Sequence, residues 1–137
     1  MRYYLDTNVL IFLLLKDGNL DKNVEALIDD TSNILYVSSI ATNEVLHLYK
    51  TGKINIQAVR SASDLIRLIK DANIEIRSFS EHHLRVYADL KIAPNHNDPN
   101  DHTIISQTLA EKISLISSDH KFELYREQGL NFVFNKR

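Results

Sequence analysis

Hydrophobic positions in this chain follow two spacings, and the two alternate from one end to the other. Arg2-Tyr3-Tyr4-Leu5, Ile34-Leu35-Tyr36-Val37, Ile74-Glu75-Ile76-Arg77, Leu115-Ile116-Ser117 and Phe132-Val133-Phe134 are short runs rich in β-branched and aromatic residues, which read as strands. Between them the apolar residues recur at helical spacing. An apolar helix is predicted from about Asn8 to Lys16, closed by the turn residues Asp17-Gly18-Asn19, and a second from Asp21 to Asp30. Ser38-Ser39 offers an N-cap for a helix reaching Lys50, with Gly52 just past its end. Ile56 to Lys70 carries Ala58, Val59, Ala62, Leu65, Ile66 and Ile69 on one face and predicts a helix over that whole range. Further helices are expected over Glu81 to Lys91, from Asp98-Pro99 to about Lys112, and over Phe122 to Gln128, with a polar loop around Ala93 to Asn97. Strands alternating with helices predict an α/β fold with a mainly parallel central sheet of about five strands and helices on both faces.

Length and composition narrow this picture. A chain of 137 residues, 44% hydrophobic and 25% charged, suits one globular domain over residues 1–137. The absence of cysteine removes disulfide frameworks and thiolate zinc sites. The longest apolar run, Val9 to Leu15, falls well short of the roughly 20 residues of a membrane span. Asp6 directly ahead of it is unlike the basic leader of a signal peptide. The run is read as a buried helix, with no membrane association and a cytoplasmic location expected. The net charge of −2 gives no basic surplus of the kind nucleic-acid binders show. That balance is neutral evidence if clustered acids offset the basic residues.

The carboxylates change the picture most. Asp6 ends the first strand and Asp119 closely follows the fourth, and ligands of parallel sheets bind beyond the carboxyl ends of strands. Helix capping explains either aspartate taken singly. Glu44 is harder to explain structurally: at about 100° per residue it falls inside the arc of Ile40, Ala41, Val45 and Leu48. A carboxylate there needs a buried Lys or Arg, a place at the rim of the core, or a cation. In Asp98-Pro99-Asn100-Asp101 the first aspartate fits an N-cap and the proline the first helical position. Asp101 also suits the helix dipole, but its place beside Ile104-Ile105 makes it the stronger functional candidate. Four acids in one place would repel an anionic substrate, so they make chemical sense with hard cations such as Mg²⁺ or Mn²⁺.

Leu5-Asp6-Thr7-Asn8, the Ser39-to-Val45 segment with Glu44, Asp98-Pro99-Asn100-Asp101 with Ile104-Ile105, and Ser117-Ser118-Asp119 together resemble the PIN-domain nucleases. The motifs stand in family order over nearly the whole chain, and the likeness is greatest to the toxins of VapBC-type toxin–antitoxin pairs. The resemblance implies a three-layer α/β/α sandwich and Mg²⁺- or Mn²⁺-dependent cleavage of RNA. It implies an acidic site of Asp6, Glu44, Asp101 and Asp119, supported by Thr7, Asn8 and Ser117, with Asp98 beside it. A small antitoxin encoded nearby and a homodimeric assembly are the partners expected. Asn100 and His102 depart from the family's usual residues at positions flanking the site, which bears on substrate preference.

Lys50, Lys53, Lys91, Lys121 and Arg126 lie near expected helix ends or loops and are the candidates for holding RNA phosphates, with solvated surface as the alternative. Two other functions compete. His96, Asp98, Asp101 and His102 crowd one segment as in histidine–aspartate metal phosphohydrolases, but no second cluster completes a dinuclear centre. His47, His82, His83 and His120 read as solvated. A catalytically degenerate binding protein of the same fold is the other alternative, and the retention of all four acids speaks against it. A phospho-receiver would need an acceptor aspartate where this chain has Arg77-Ser78-Phe79.

Overall fold

The computed structural model describes residues 1–137. Five strands, β1 (Arg2–Leu5), β2 (Ile34–Ser38), β3 (Ile74–Arg77), β4 (Ser114–Ser117) and β5 (Phe132–Phe134), form one sheet in the order β3-β2-β1-β4-β5. Every pairing is parallel, with Tyr4 opposite both Tyr36 and Leu115. β1 is thus the central strand, and Tyr3, Tyr4 and Leu5 are buried, as a strand covered on both faces requires. Six α-helices connect the strands: α1 (Thr7–Leu15), α2 (Lys22–Asp29), α3 (Ser39–Lys50), α4 (Ala62–Asp71), α5 (Glu81–Asp89) and α6 (Pro99–Glu111). This is the expected three-layer arrangement, with one hydrophobic cluster running from Tyr3 through Val37, Leu65 and Ile105 to Phe132. No helix is long and apolar enough to cross a membrane.

The helices start where polar side chains can satisfy free backbone N–H groups. Asp21 accepts from Val24 N–H at 2.8 Å, Ser38 from Ile40 N–H at 3.0 Å and Asp98 from Asn100 N–H at 3.0 Å. The same rule corrects the boundary of α4, which begins at Ala62 rather than Ile56. Ser61 caps it by accepting from Asp64 N–H at 3.3 Å. Ile56 and Val59 are buried all the same, held in a tight turn by Val59 N–H on Ile56 O at 3.2 Å. Apolar spacing recorded their burial, not their conformation. Two more differences concern form. Residues His120–Gln128 make a 3-10 helix, longer than the short helix expected, and α5 stops at Asp89 because Leu90 is extended. In α1, only Thr7, Val9 and Leu10 are buried, so Ile11 to Leu15 present a half-covered apolar surface rather than a buried helix.

α6 is fastened to the sheet by a polar hub at its C-terminal end. Glu111 accepts from the Tyr4 hydroxyl at 2.6 Å, pairs with Arg77 at 3.0 Å and lies 2.9 Å from His83 Nε2. His83 is therefore buried, contrary to the solvated place expected of it. Its Nδ1 accepts from Ser80 N–H at 2.9 Å, which leaves Nε2 as the donor to Glu111. Gln107 Nε2 completes the hub with bonds to the Tyr4 hydroxyl and Arg77 O. Burial and the Glu111 carboxylate keep the Tyr4 phenol protonated by raising its pKa. Hydrogen bonds to charged groups contribute about 1.5–3 kcal/mol, and Arg77 and His83 still hold Glu111 when the hydroxyl is removed. Tyr4→Phe is accordingly expected to lower unfolding free energy by about 1–2 kcal/mol in urea denaturation. A neutral substitution would mean that the hub holds without this bond.

Candidate metal centre

The ends of β1 and β4 and the starts of α1, α3 and α6 meet at the carboxyl edge of the sheet, and each brings one acid or its support. Asp6 follows β1 directly. Its backbone N–H donates to Ile116 O at 2.9 Å, extending the β1–β4 ladder past Leu5 and turning the side chain into the crevice. The side chain is only 3% exposed. Ser117 Oγ donates to its Oδ2 at 2.7 Å, whereas its Oδ1 is buried with no hydrogen-bond partner. Ser117 also accepts from Asp119 N–H at 3.1 Å, so one hydroxyl links the two strand-end aspartates. Asp119 in turn caps the 3-10 helix through Lys121 N–H at 2.9 Å. The cap expected of Asp119 is thus present, at the same strand end as Asp6.

Glu44 is half-buried on α3, and Thr7 Oγ1 donates to its Oε1 at 2.8 Å. The Asn100 side chain also stabilises its ionised form. Asp101 stands one turn into α6, with His96 Nε2 3.0 Å from its Oδ2. His96, Asp101 and Asp119 each place a ligand atom within 4.8 Å of the others. Asn8 accepts from Ser118 N–H at 3.3 Å and so ties the start of α1 to the end of β4. Asp98 is exposed and caps α6, yet its charge is felt at both Glu44 and Asp101.

None of these acids has the cationic partner that a structural carboxylate would take. No ion pair of the structure includes Asp6, Glu44 or Asp119, and Asp101 pairs only with His96. The consequence is seen in their protonation. Burial first, and then the neighbouring Asp101 and Glu44, push Asp6 up to about 7, against the opposing Ser117 bond. Burial and the charges of Asp98, Asp119 and Glu44 push Asp101 up to about 7 as well. Burial raises Glu44 too, with Thr7 opposing and Asp98 adding. Asp6, Glu44 and Asp101 thus lie in a partly dry crevice where neighbouring carboxylates oppose their ionisation. An orphaned buried oxygen in a cluster of acids is the kind of oxygen-donor setting that a hard divalent cation fits.

Three further groups are placed by the structure and not by sequence pattern. His96 is 1% exposed and lies between Asp101 and Tyr125, a residue 29 positions later in the chain. Nothing local to His96 signals that contact. His102 is also buried and its Nε2 donates to His96 O at 2.8 Å, so it does not face a substrate as its flanking position suggested. Lys121 is exposed, and its charge favours the ionised form of Asp101. The other basic candidates are less closely placed. Lys50 and Lys53 lie at and beyond the end of α3, Lys50 about 9 Å along the axis from Glu44 at 1.5 Å per residue. Lys91 is exposed, its backbone bridged on both sides by the Gln128 amide. Arg126 is engaged by Glu123 of its own helix at 2.7 Å and, on β5, by Phe132 O at 2.6 Å and the Phe132 ring.

An all-parallel sheet in this order with uncompensated acids at its carboxyl edge is the architecture of a PIN domain, and the sequence matches that family over residues 3–128. The chain belongs to the PIN domain family, whose members are nucleases as a class. Among solved structures it is similar to VapBC2 from Rickettsia felis bound to a DNA fragment from their promoter, at 26% identity and a TM-score of 0.70 over 99% of this chain and 100% of that one. It is also similar to DNA-bound VapBC from Salmonella typhimurium, at 18% identity and a TM-score of 0.67 over 98% of each chain. A toxin–antitoxin complex from Klebsiella pneumoniae is similar at 16% identity and a TM-score of 0.63, over 96% of this chain and 95% of that one. The last two likenesses speak to the fold alone. No curated protein sequence matches the chain.

The raised carboxyls have a measurable consequence. Between the ordinary value of 3.8 and about 7, the folded protein binds protons at Asp6 and Asp101 that the unfolded chain has released. Their contribution to stability is therefore present at low pH and lost as pH rises through about 7. In chelator, the urea midpoint should fall between pH 5 and pH 8, and Asp101→Asn should flatten that fall. Saturating Mn²⁺ should restore the midpoint at pH 8 and not at pH 5. An Asp101→Asn midpoint that falls as steeply as that of the wild type over the same range would show that Asp101 takes up no proton in the folded protein.

Proposed function

We propose that this protein is a Mg²⁺- or Mn²⁺-dependent endoribonuclease and the toxin half of a toxin–antitoxin pair, with Asp6, Glu44, Asp101 and Asp119 as its catalytic and metal-holding acids. The observation that carries this reading is the buried, unpartnered Asp6 Oδ1 amid carboxylates with which no lysine or arginine forms an ion pair. A bound divalent cation supplies charge neutralisation at a phosphodiester and makes a water more acidic. The chain's own contribution is orientation. Ser117 and Thr7 each donate one hydroxyl, to Asp6 and Glu44, and Asp6 Oδ1 is left without a partner. Asn8 keeps the two strand ends together, and Asn100 supports Glu44. Lys121 is the basic residue best placed to meet a neighbouring RNA phosphate, ahead of Lys50, Lys53 and Lys91. Arg126, with its guanidinium engaged, is left out of that role.

The partner follows from two features. An active nuclease of this kind must be held in check in the cytoplasm where its RNA lies, and the R. felis VapBC2 likeness extends over the full chain. The half-covered Phe12, Leu13, Leu20 and Ile28 line a groove on the α1–α2 side, suited to an apolar segment of a small antitoxin. A basic side chain from that partner, directed at Asp6 and Asp101, would replace the charge of the cation. A homodimer is the assembly that goes with this reading. The histidine–aspartate hydrolase reading loses ground because His102 uses its Nε2 on a backbone carbonyl.

Glu44→Gln separates these readings. It should keep the fold, raise the melting temperature of the metal-free protein slightly by removing repulsion, and abolish RNA cleavage. The loss should exceed the roughly 10–100-fold that removal of an outer-shell partner causes. Preserved cleavage would remove Glu44 from the site, and zinc retained through purification would favour the hydrolase. A second outcome concerns the partner: expression of the chain alone should arrest growth, and co-expression of the adjacent small gene should restore it. Harmless expression with no co-purifying protein would refute the toxin assignment and leave the nuclease assignment standing.

A further inference from the structure

His96 is not one of the four acids of the proposed site, yet it is among the most completely buried polar residues of the chain. Its ring is enclosed by the edge of His102 at 4.7 Å, Tyr125 at 5.3 Å and Phe122 at 5.9 Å between centroids. Its backbone is also fixed, since His102 Nε2 donates to His96 O at 2.8 Å. Both ring nitrogens are engaged. Nδ1 is 2.6 Å from the Tyr125 hydroxyl, and Nε2 is 3.0 Å from Asp101 Oδ2.

The hydrogen-bond network favours one placement of the protons. Ala93 N–H donates to the Tyr125 oxygen at 3.1 Å, so that oxygen is already an acceptor. Its own proton has His96 Nδ1 as the available buried acceptor, and a neutral imidazole that accepts at Nδ1 carries its proton on Nε2. That proton then points at Asp101, which can only accept when it is ionised, as holding a cation requires. A protonated ring nitrogen cannot itself ligate a metal. Any effect of His96 on the centre therefore passes through Asp101.

Resting on the reading of Asp101 as a metal-holding acid, we propose that His96 is a positioning residue. It fixes the Asp101 carboxylate by donating to Oδ2, leaves Oδ1 for the cation, and is itself held in one tautomer by Tyr125. Such an arrangement orients a carboxylate ligand as outer-shell partners orient histidine ligands elsewhere. It gives Asp101 what Ser117 gives Asp6 and Thr7 gives Glu44: one oxygen held, one oxygen presented. The chain therefore uses a different donor for each acid, and the one on α6 is reached through the 3-10 helix.

Mn²⁺ binding to the RNA-free protein, measured by calorimetry at a temperature where circular dichroism shows each variant folded, tests this directly. His96→Leu should weaken Mn²⁺ binding by roughly 10–100-fold, the usual effect of losing an outer-shell partner. His96→Gln, whose amide can still donate to Asp101, should recover part of that loss. Tyr125→Phe should weaken binding by a smaller factor, because the ring keeps its place and loses only its tautomer lock. A role confined to packing would lower the melting temperature of these variants without moving Mn²⁺ affinity. If wild-type protein binds Mn²⁺, Asp101→Asn abolishes binding and folded His96→Gln and Tyr125→Phe both bind as wild type with no loss in His96→Leu, the inference fails while the metal-centre reading stands. Should His96→Leu not fold, unchanged affinity in the other two variants is enough to overturn it. Absence of Mn²⁺ binding by the wild-type protein would overturn both.

Discussion

Negative charge held out of water at one edge of a parallel sheet is the constraint on which this structure turns. Burial penalises each ionised carboxylate separately, and proximity penalises them again as a group. Elsewhere in the molecule such a group would be paired. Here the surroundings supply hydrogen-bond donors that orient the acids, and no cation from the protein that neutralises them. Asp6 bears the greatest part, buried at the end of the central strand with one oxygen held by Ser117 and the other unpartnered. The strand order, the capping of α6 and the β1–β4 ladder all serve to keep that arrangement in place against its own repulsion.

A single helix displays the difference between a carboxylate paired with an arginine and one without such a partner. Near the first turn of α6, Asp101 is crowded by other acids and pushed up to about 7. At the last turn, Glu111 is met by Arg77, His83 and Tyr4. Both residues are partly buried and both touch a histidine. What separates them is the arginine, which makes Glu111 a fastening for the sheet and whose absence leaves Asp101 available to a cation.

Much of this was legible in the sequence because it depends on local chemistry. Strand and helix alternation gave the layered parallel fold, and Asp6 and Asp119 could be placed because each stands at the end of a recognisable strand. Glu44 stood out because a carboxylate inside an apolar helical arc needs an explanation. The misreadings share a physical cause, which is a partner distant in the chain. His83 reads as solvated from the sequence because its partner Glu111 lies 28 residues away, and the place of His96 is set by Tyr125, 29 residues away. Ile56 and Val59 kept helical spacing without a helix because burial and conformation are separate properties. Arg126 looked free because a bond to the carbonyl of Phe132 leaves no trace in composition.

The order of strands also bears on how the molecule comes into being. β1 is made first, yet one of its two neighbours is β4, and Asp6 N–H finds its partner only in Ile116 O. A growing chain has made Asp6, Glu44 and Asp101 before Ser114–Ser117 exist to complete the central ladder. Pairings so far apart in sequence close late, after the cost of bringing the ends together has been met. The crevice is therefore an attribute of the finished polypeptide. A partial translation product ending before β4 has three of the four acids and no strand to gather them against.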